Sequence, residues 1–259
     1  MKRLLGLFFV FISLFLLFST RLNARDYYNI YENRFISFAI LYERISRDIE
    51  LDYRTTDTAT LLPFYKDKQT INMNNFALQT KINFTKTIAG FLETGITDLK
   101  GEYHNFGDTV GTLNFKAKNS FLWGVGLEAD LFEFKTGLNL RGKIQVSGWN
   151  VNVEYGALKN VQYGAWLFLE QKIYFNKPLY ASPRELYYLK PYIGVGYTRD
   201  DLDGDLYTSN IRILKTPGKN TEYMSLKLGA DFRMTNLILN LEGNIIDQKS
   251  FRISAGTKF

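Results

Sequence analysis

The chain contains no cysteine, a single histidine and, beyond Phe18, no apolar run long enough for a spanning helix. Without cysteine it can form no disulfide and no thiolate metal centre, and it cannot be a lipoprotein anchored through a modified cysteine. Without a long apolar run it has no helical route across a bilayer, because a spanning helix needs roughly 20 apolar residues. Charge of one sign is also scarce, the net balance being +6 from 32 basic and 26 acidic residues. Three of the basic residues, Lys2, Arg3 and Arg21, fall in the leader described below. The others are interleaved with acids, which argues against a nucleic-acid partner. A mild positive bias suits contact with anionic lipid headgroups.

What the chain does have is 46 % hydrophobic residues, with 21 Phe and 17 Tyr, spread along its length. For a membrane protein this leaves the closed barrel, in which every second residue faces lipid. The N-terminus has the layout of a secretory signal peptide. Lys2 and Arg3 give a positive start, Leu4 to Phe18 is apolar apart from Gly6 and Ser13, and a more polar Ser19 to Ala24 follows. Cleavage is expected after Ala24, so residues 1–24 read as signal peptide, 25–34 as a periplasmic lead-in and 35–259 as barrel. At the other end, Phe251, Ile253, Ala255, Thr257 and Phe259 form one apolar-leaning row against Arg252, Ser254, Gly256 and Lys258. Period two of this kind is a strand with one greasy face and one polar face. It resembles the C-terminal signature that bacterial outer-membrane barrels present to their assembly machinery. The resemblance implies that machinery and outer-membrane lipids as partners.

The same alternation predicts about ten strands, within a range of eight to twelve, in an up-and-down antiparallel barrel. The clearest is 121–131, where Phe121, Trp123, Val125, Leu127 and Ala129 alternate with Leu122, Gly124, Gly126, Glu128 and Asp130. The others are read over 35–53, 74–85, 88–98, 134–146, 161–175, 189–198, 222–233, 237–245 and from 250 onward. In the first, the apolar parity changes from Ile36, Phe38, Ile40 and Tyr42 to Ile45, Ile49, Leu51 and Tyr53, which predicts a bulge near 43–45 or two strands. Long loops are expected at 54–73, 99–120, 148–160 and 199–221, and short turns near Lys86, Phe132 and Thr235. An even strand count puts both termini on the periplasmic side.

In a membrane barrel the polar rows face inward. Here they carry Lys81, Glu93, Glu128, Glu133, Lys135, Arg141, Lys143, Lys227, Asp231 and Glu242, with both signs in similar number. Eight strands leave an interior that side chains fill, whereas open porins need about sixteen. Ten strands lined by long charged side chains should therefore be plugged by ion pairs and water.

Known chemistries find little purchase. His104 lies in a predicted loop with Glu102 two residues before it and Phe106 two after. Omptin-like barrel proteases pair their histidine with an aspartate two residues away, and that pairing is absent. No serine adjoins His104 in sequence as a nucleophile would. The segment Arg199 to Asp205 resembles part of a calcium loop but lacks the completing glutamate of an EF-hand. Gly124-Val125-Gly126 and Gly194-Val195-Gly196 lie inside strands with no helix following, so they are not phosphate cradles. No metal or other cofactor is called for.

Taken together, the leader, the alternating strands and the closing row resemble the small bacterial outer-membrane β-barrels of the opacity-protein or OmpA-barrel type. That resemblance implies an outer-membrane protein of Gram-negative type with a non-enzymatic structural or surface role, whose external loops carry any interaction. The alternatives are a narrow pore or small-solute transporter and, further off, an omptin-like hydrolase. The external ligand stays unnamed.

Overall fold

The computed structural model describes residues 36–53, 65–103, 113–134, 138–153, 156–175, 187–208, 211–215, 218–234, 237–246 and 248–258. The signal-peptide and lead-in segments, His104, Lys135 and Phe259 lie outside the described residues. The strands are β1 (Ile36–Tyr53), β2 (Tyr65–Asn83), β3 (Ile88–Tyr103), β4 (Leu113–Glu133), β5 (Leu138–Val153), β6 (Gly156–Gln171) and β7 (Ile173–Tyr174). They continue with β8 (Tyr187–Thr208), β9 (Ile211–Lys215), β10 (Gly218–Asn220), β11 (Met224–Met234), β12 (Leu237–Asn244) and β13 (Gln248–Lys258). Among the described residues, ten of them close an antiparallel barrel in the order β1–β2–β3–β4–β5–β6–β8–β11–β12–β13. β13 returns to β1 with Thr257 opposite Phe38 and Ile253 opposite Tyr42. The short β7 continues β6 in the same register after a break at Lys172.

A second ring sits on the first. β11, β12 and β13 have 11, 8 and 11 residues, whereas β1, β2 and β8 have 18, 19 and 22. Above the ends of the three short strands their place is taken by β10, with β9 pairing farther along the same edge of β8. β10 pairs with β1 on one side, Asn220 opposite Ile49, and with β8 on the other, Gly218 opposite Leu202. The lower ring, which holds both described chain ends, therefore has ten strands. The upper ring has eight, namely β1 to β6, β8 and β10.

The two rings have opposite polarity. In the lower ring Phe38, Ile40 and Tyr42 of β1, Phe76 and Leu78 of β2, and Leu92 and Ile96 of β3 point outward and are exposed. The belt continues around Val125, Leu167, Val195, Leu228 and Leu241 to Phe251 and Ile253. A water-soluble barrel would bury these rows; an apolar band about 25 Å tall around a polar interior is the pattern of a transmembrane barrel. Tyr197 stacks on Tyr223 (5.5 Å, 8°) at the top of the belt, and Phe132 meets Phe134 (4.6 Å) at the bottom, as aromatic girdles do. In the upper ring the outward row becomes Arg44, Asp48, Asn72, Asn74, Lys100, Asn152, Lys159 and Asp201. The inward row there becomes the apolar core, with Ile45, Ile49, Ile71, Met73, Leu99, Ala117, Trp149, Val151, Leu158 and Leu202 all buried.

This inversion corrects several sequence expectations. The parity change in β1 is neither a bulge nor a strand break, because β1 and β2 stay in one register from Ile36–Ile82 to Tyr53–Tyr65. The apolar row changes face because the strand leaves the lipid. Most of the stretches expected as long loops are strand. β2 begins at Tyr65, β3 runs to Tyr103 and β4 starts at Leu113. β5 and β6 are separated only by residues 154–155, and β8 continues to Thr208. Their outward polar residues read as loop only if the outside is assumed to be lipid throughout. Irregularity occurs elsewhere. Asn119, in the left-handed region at φ 54°, makes a bulge opposite Asp98, whose carboxylate accepts from the Asn119 N–H at 2.9 Å. A second bulge lies at Leu131, between Asp130 and Phe132.

Candidate functional site: an occluded lumen

The floor of the lumen is an ion-pair lattice held by inward positions of the lower ring. Lys81 of β2 pairs with Glu128 of β4. Glu128 also lies 3.5 Å from Arg141 of β5, which reaches Glu170 of β6 at 3.1 Å. Lys190 of β8 bridges Glu170 and Asp231 of β11 at 3.2 and 3.1 Å. Asn240 donates to Asp231 and to the Tyr192 hydroxyl, which donates in turn to Glu242; Lys227 closes the series on Glu242 at 2.8 Å. Separately, Arg252 of β13 pairs across the lumen with Glu93 of β3, which also accepts from Gln79 at 2.7 Å.

Aromatic rings fill what the charges leave. Lys143 lies over Phe91 (4.6 Å), Lys227 over Trp166 (4.5 Å) and Arg141 over Phe168 (5.0 Å). These large rings need opposing glycines. A Cβ at Gly196 would fall 2.1 Å from the Trp166 indole, and one at Gly194 would fall 2.3 Å from the Phe168 ring. The Gly-Val-Gly segment is thus the clearance for two aromatics of β6 that lie over the neighbouring strand β8.

Above the lattice lies a cavity of about 60 Å³ lined by Glu43, Asn75, Gln145, Gln162, Trp166, Lys227 and Arg252 among others. That is room for a few water molecules, not for an open channel. Its ceiling is a second, fully buried polar group at the junction of the rings. Arg47 of β1 pairs with Asp200 of β8, the two side chains 2 % and 0 % exposed. Asn160 donates to Asp200 at 2.9 Å. With its carbonyl turned to Arg47, Gln162 accepts from both terminal guanidinium nitrogens at 2.8 and 2.6 Å. Asn220 of β10 stitches the junction, accepting from the Asp200 N–H at 3.1 Å and donating to the Thr198 carbonyl at 3.0 Å. Above this layer the inward side chains of the upper ring pack into an apolar core. An eight-stranded ring is the size that side chains fill.

Of the charges read from sequence, Lys81, Glu93, Glu128, Arg141, Lys143, Lys227, Asp231 and Glu242 all lie within the lumen. Glu133 does not join them: it is exposed at the lower rim and makes no ion pair among the described residues. Phe251, Ile253, Ala255 and Thr257 face outward on β13. Sequence reasoning missed Glu170, Lys190, Arg47 and Asp200. Glu170 shares its parity with Trp166 and Phe168, so its row carries two large aromatics and does not stand out in sequence as a polar, inward one. Asp200 was placed in a loop. It stands instead on a strand whose alternate acids diverge, Asp200 inward and Asp201 and Asp203 outward, so no calcium loop forms. No group of three or more metal-ligating side chains converges among the described residues.

No family model matches this chain. No curated protein matches it either. Among solved structures it is similar to the beta domain of the Bordetella autotransporter BrkA, at 11 % identity and TM-score 0.49, over 87 % of this chain and 100 % of that one. It is also similar to the outer membrane protease OmpT from Escherichia coli, at 9 % identity and TM-score 0.45, over 92 % and 99 %. LpxR from Salmonella typhimurium aligns at 12 % identity and TM-score 0.36, over 86 % and 100 %. The likeness extends to the fold and no further.

Proposed function

We propose that this chain is an integral outer-membrane barrel with a non-enzymatic structural or surface role. Its described chain ends face the periplasm, and any interaction is carried at the outer rim of the upper ring. The observation that carries this reading is the double occlusion of the lumen, by an ion-pair lattice below and an apolar core above. A barrel built this way conducts poorly and is stiff. Six of its lumenal carboxylates, Glu93, Glu128, Glu170, Asp200, Asp231 and Glu242, are each engaged by a lumenal cation, which favours a structural use of them over a catalytic one.

The test is single-channel recording in planar bilayers with the refolded mature chain. No resolved conductance is the expected result. Stepwise conductance whose ion selectivity changes with Arg141→Glu would favour the narrow pore instead. Hydrolysis of a peptide or lipid substrate that is lost on His104→Ala would favour the hydrolase.

A further inference from the structure

The cavity between the floor and the ceiling of the lumen has more acceptors than the protein has donors for. Its cations are committed: Arg47 to Asp200, Lys227 to Glu242 and Arg252 to Glu93. Several of its oxygens are not. The Asn75 side chain donates to Glu43 at 3.4 Å, and the Asn160 side chain donates to Asp200 at 2.9 Å. A carboxylate thus fixes which end of each amide is nitrogen. The oxygens at the other ends, together with Gln248 Oε1, have no hydrogen-bond partner among the described residues. Asn75, Asn160 and Gln248 are 7, 4 and 6 % exposed, and all three line the cavity. Glu43 lines it too. Arg252 stands opposite Glu43 in the ladder, but its guanidinium pairs with Glu93.

A buried oxygen without a donor is costly, so the lining calls for a ligand that donates. A cation would meet these oxygens but would sit among Arg47, Lys227 and Arg252. An anion would suit those three side chains and face the bare oxygens and the Glu43 carboxylate with a like charge. Water both donates and accepts. As several molecules it also reaches acceptors spread over β1, β2, β6 and β13. The space fits: the cavity holds about 60 Å³, and each buried water needs about 10–15 Å³ of such space and two to four polar partners.

We propose that this cavity is a built site for a cluster of about four water molecules, which donate to Glu43 and to the amide oxygens of Asn75, Asn160 and Gln248. Lys227 and Arg252 bound the cluster from the lattice and Arg47 and Asn160 from the junction, so the water carries hydrogen bonding from one polar layer to the other. It belongs to the occluded lumen, whatever the outer rim of the barrel does.

Crystals of the full mature chain grown in rubidium bromide separate the ligand classes. The expected result is several density peaks within hydrogen-bond distance of Asn75 Oδ1, Asn160 Oδ1 and Gln248 Oε1, none with anomalous signal. An anomalous peak from rubidium or bromide in the cavity overturns the proposal, because an ion then occupies it. A cavity without density overturns it as well. Gln248→Met gives a second reading, since it keeps the length of the side chain and removes the oxygen. With water in place the substitution deletes a hydrogen bond, and the denaturant midpoint in micelles is expected to fall. Removing an oxygen that has no partner would instead leave the midpoint unchanged or raise it, and either result counts against the cluster.

Discussion

The lower and upper rings are made by the same strands, yet they solve opposite problems. Along the outward row of β2, Lys68, Thr70, Asn72 and Asn74 give way without a break to Phe76 and Leu78, while the inward row passes from Ile71 and Met73 to Gln79 and Lys81. The backbone is indifferent to the change, since period two is kept throughout. Only the solvent differs. Where lipid surrounds the wall, apolar side chains gain nothing by turning inward, and the interior must satisfy its own charges. Where water surrounds it, the hydrophobic effect reclaims the interior. Ring size fits the filling: ten strands enclose a charged lattice with a small wet cavity, and eight enclose a dry core.

The comparison breaks most visibly at the junction. Asp200→Ala leaves the Arg47 guanidinium buried without its carboxylate, and a loss of about 3–5 kcal/mol is expected in denaturant unfolding from micelles. Hydrogen exchange should show the upper ring opening first. Equal acceleration in both rings would mean that they unfold as one unit. Leu99→Ala, in the upper core, is expected to cost about 2–5 kcal/mol through the cavity it leaves.

A matched pair of substitutions sharpens the contrast between the outer faces. Leu92→Lys, in the apolar belt, should cost about 2–4 kcal/mol. Asn152→Lys, on the outside of the upper ring, should stay within about 0.5 kcal/mol. Comparable costs at the two sites would contradict the assignment of lipid to one ring and water to the other. Asn220→Ala removes the link between β10 and β8, and about 1–3 kcal/mol is expected, with faster exchange confined to the junction.

The smallest effect lies on the surface. The Thr70 hydroxyl, with Lys68 3.2 Å away, holds the Asp48 carboxyl below its ordinary value. Because the folded-state value is depressed, its contribution is present above the unfolded-state value and lost as pH falls through the folded one. Both partners are well exposed, so Asp48→Asn should cost less than about 1 kcal/mol at neutral pH. That difference should vanish in acid.

The lower ring was legible because lipid enforces a rule visible in one strand at a time. Phe121 to Ala129 and Phe251 to Thr257 announce their outward faces without reference to any neighbour, and ten such segments close the ring. The upper ring was not legible in the same way. Asn150, Asn152 and Lys159 are polar and outward, so a reader looking for greasy outward rows ends β5 too early and begins β6 too late. The lumenal charges were visible as inward polar positions, but their partners were not. Glu93 and Arg252 are separated by 159 residues and meet only because β13 closes on β1.

The sequence by itself determined the strand period, the outward faces of the belt and the sign balance of the interior, because alternation along one strand and composition are local properties. Tertiary structure alone decided where the lipid ends, which cation meets which carboxylate, and that three short strands are replaced above the membrane by β10. Those outcomes depend on register and closure, and register is fixed only when every strand has found both its neighbours.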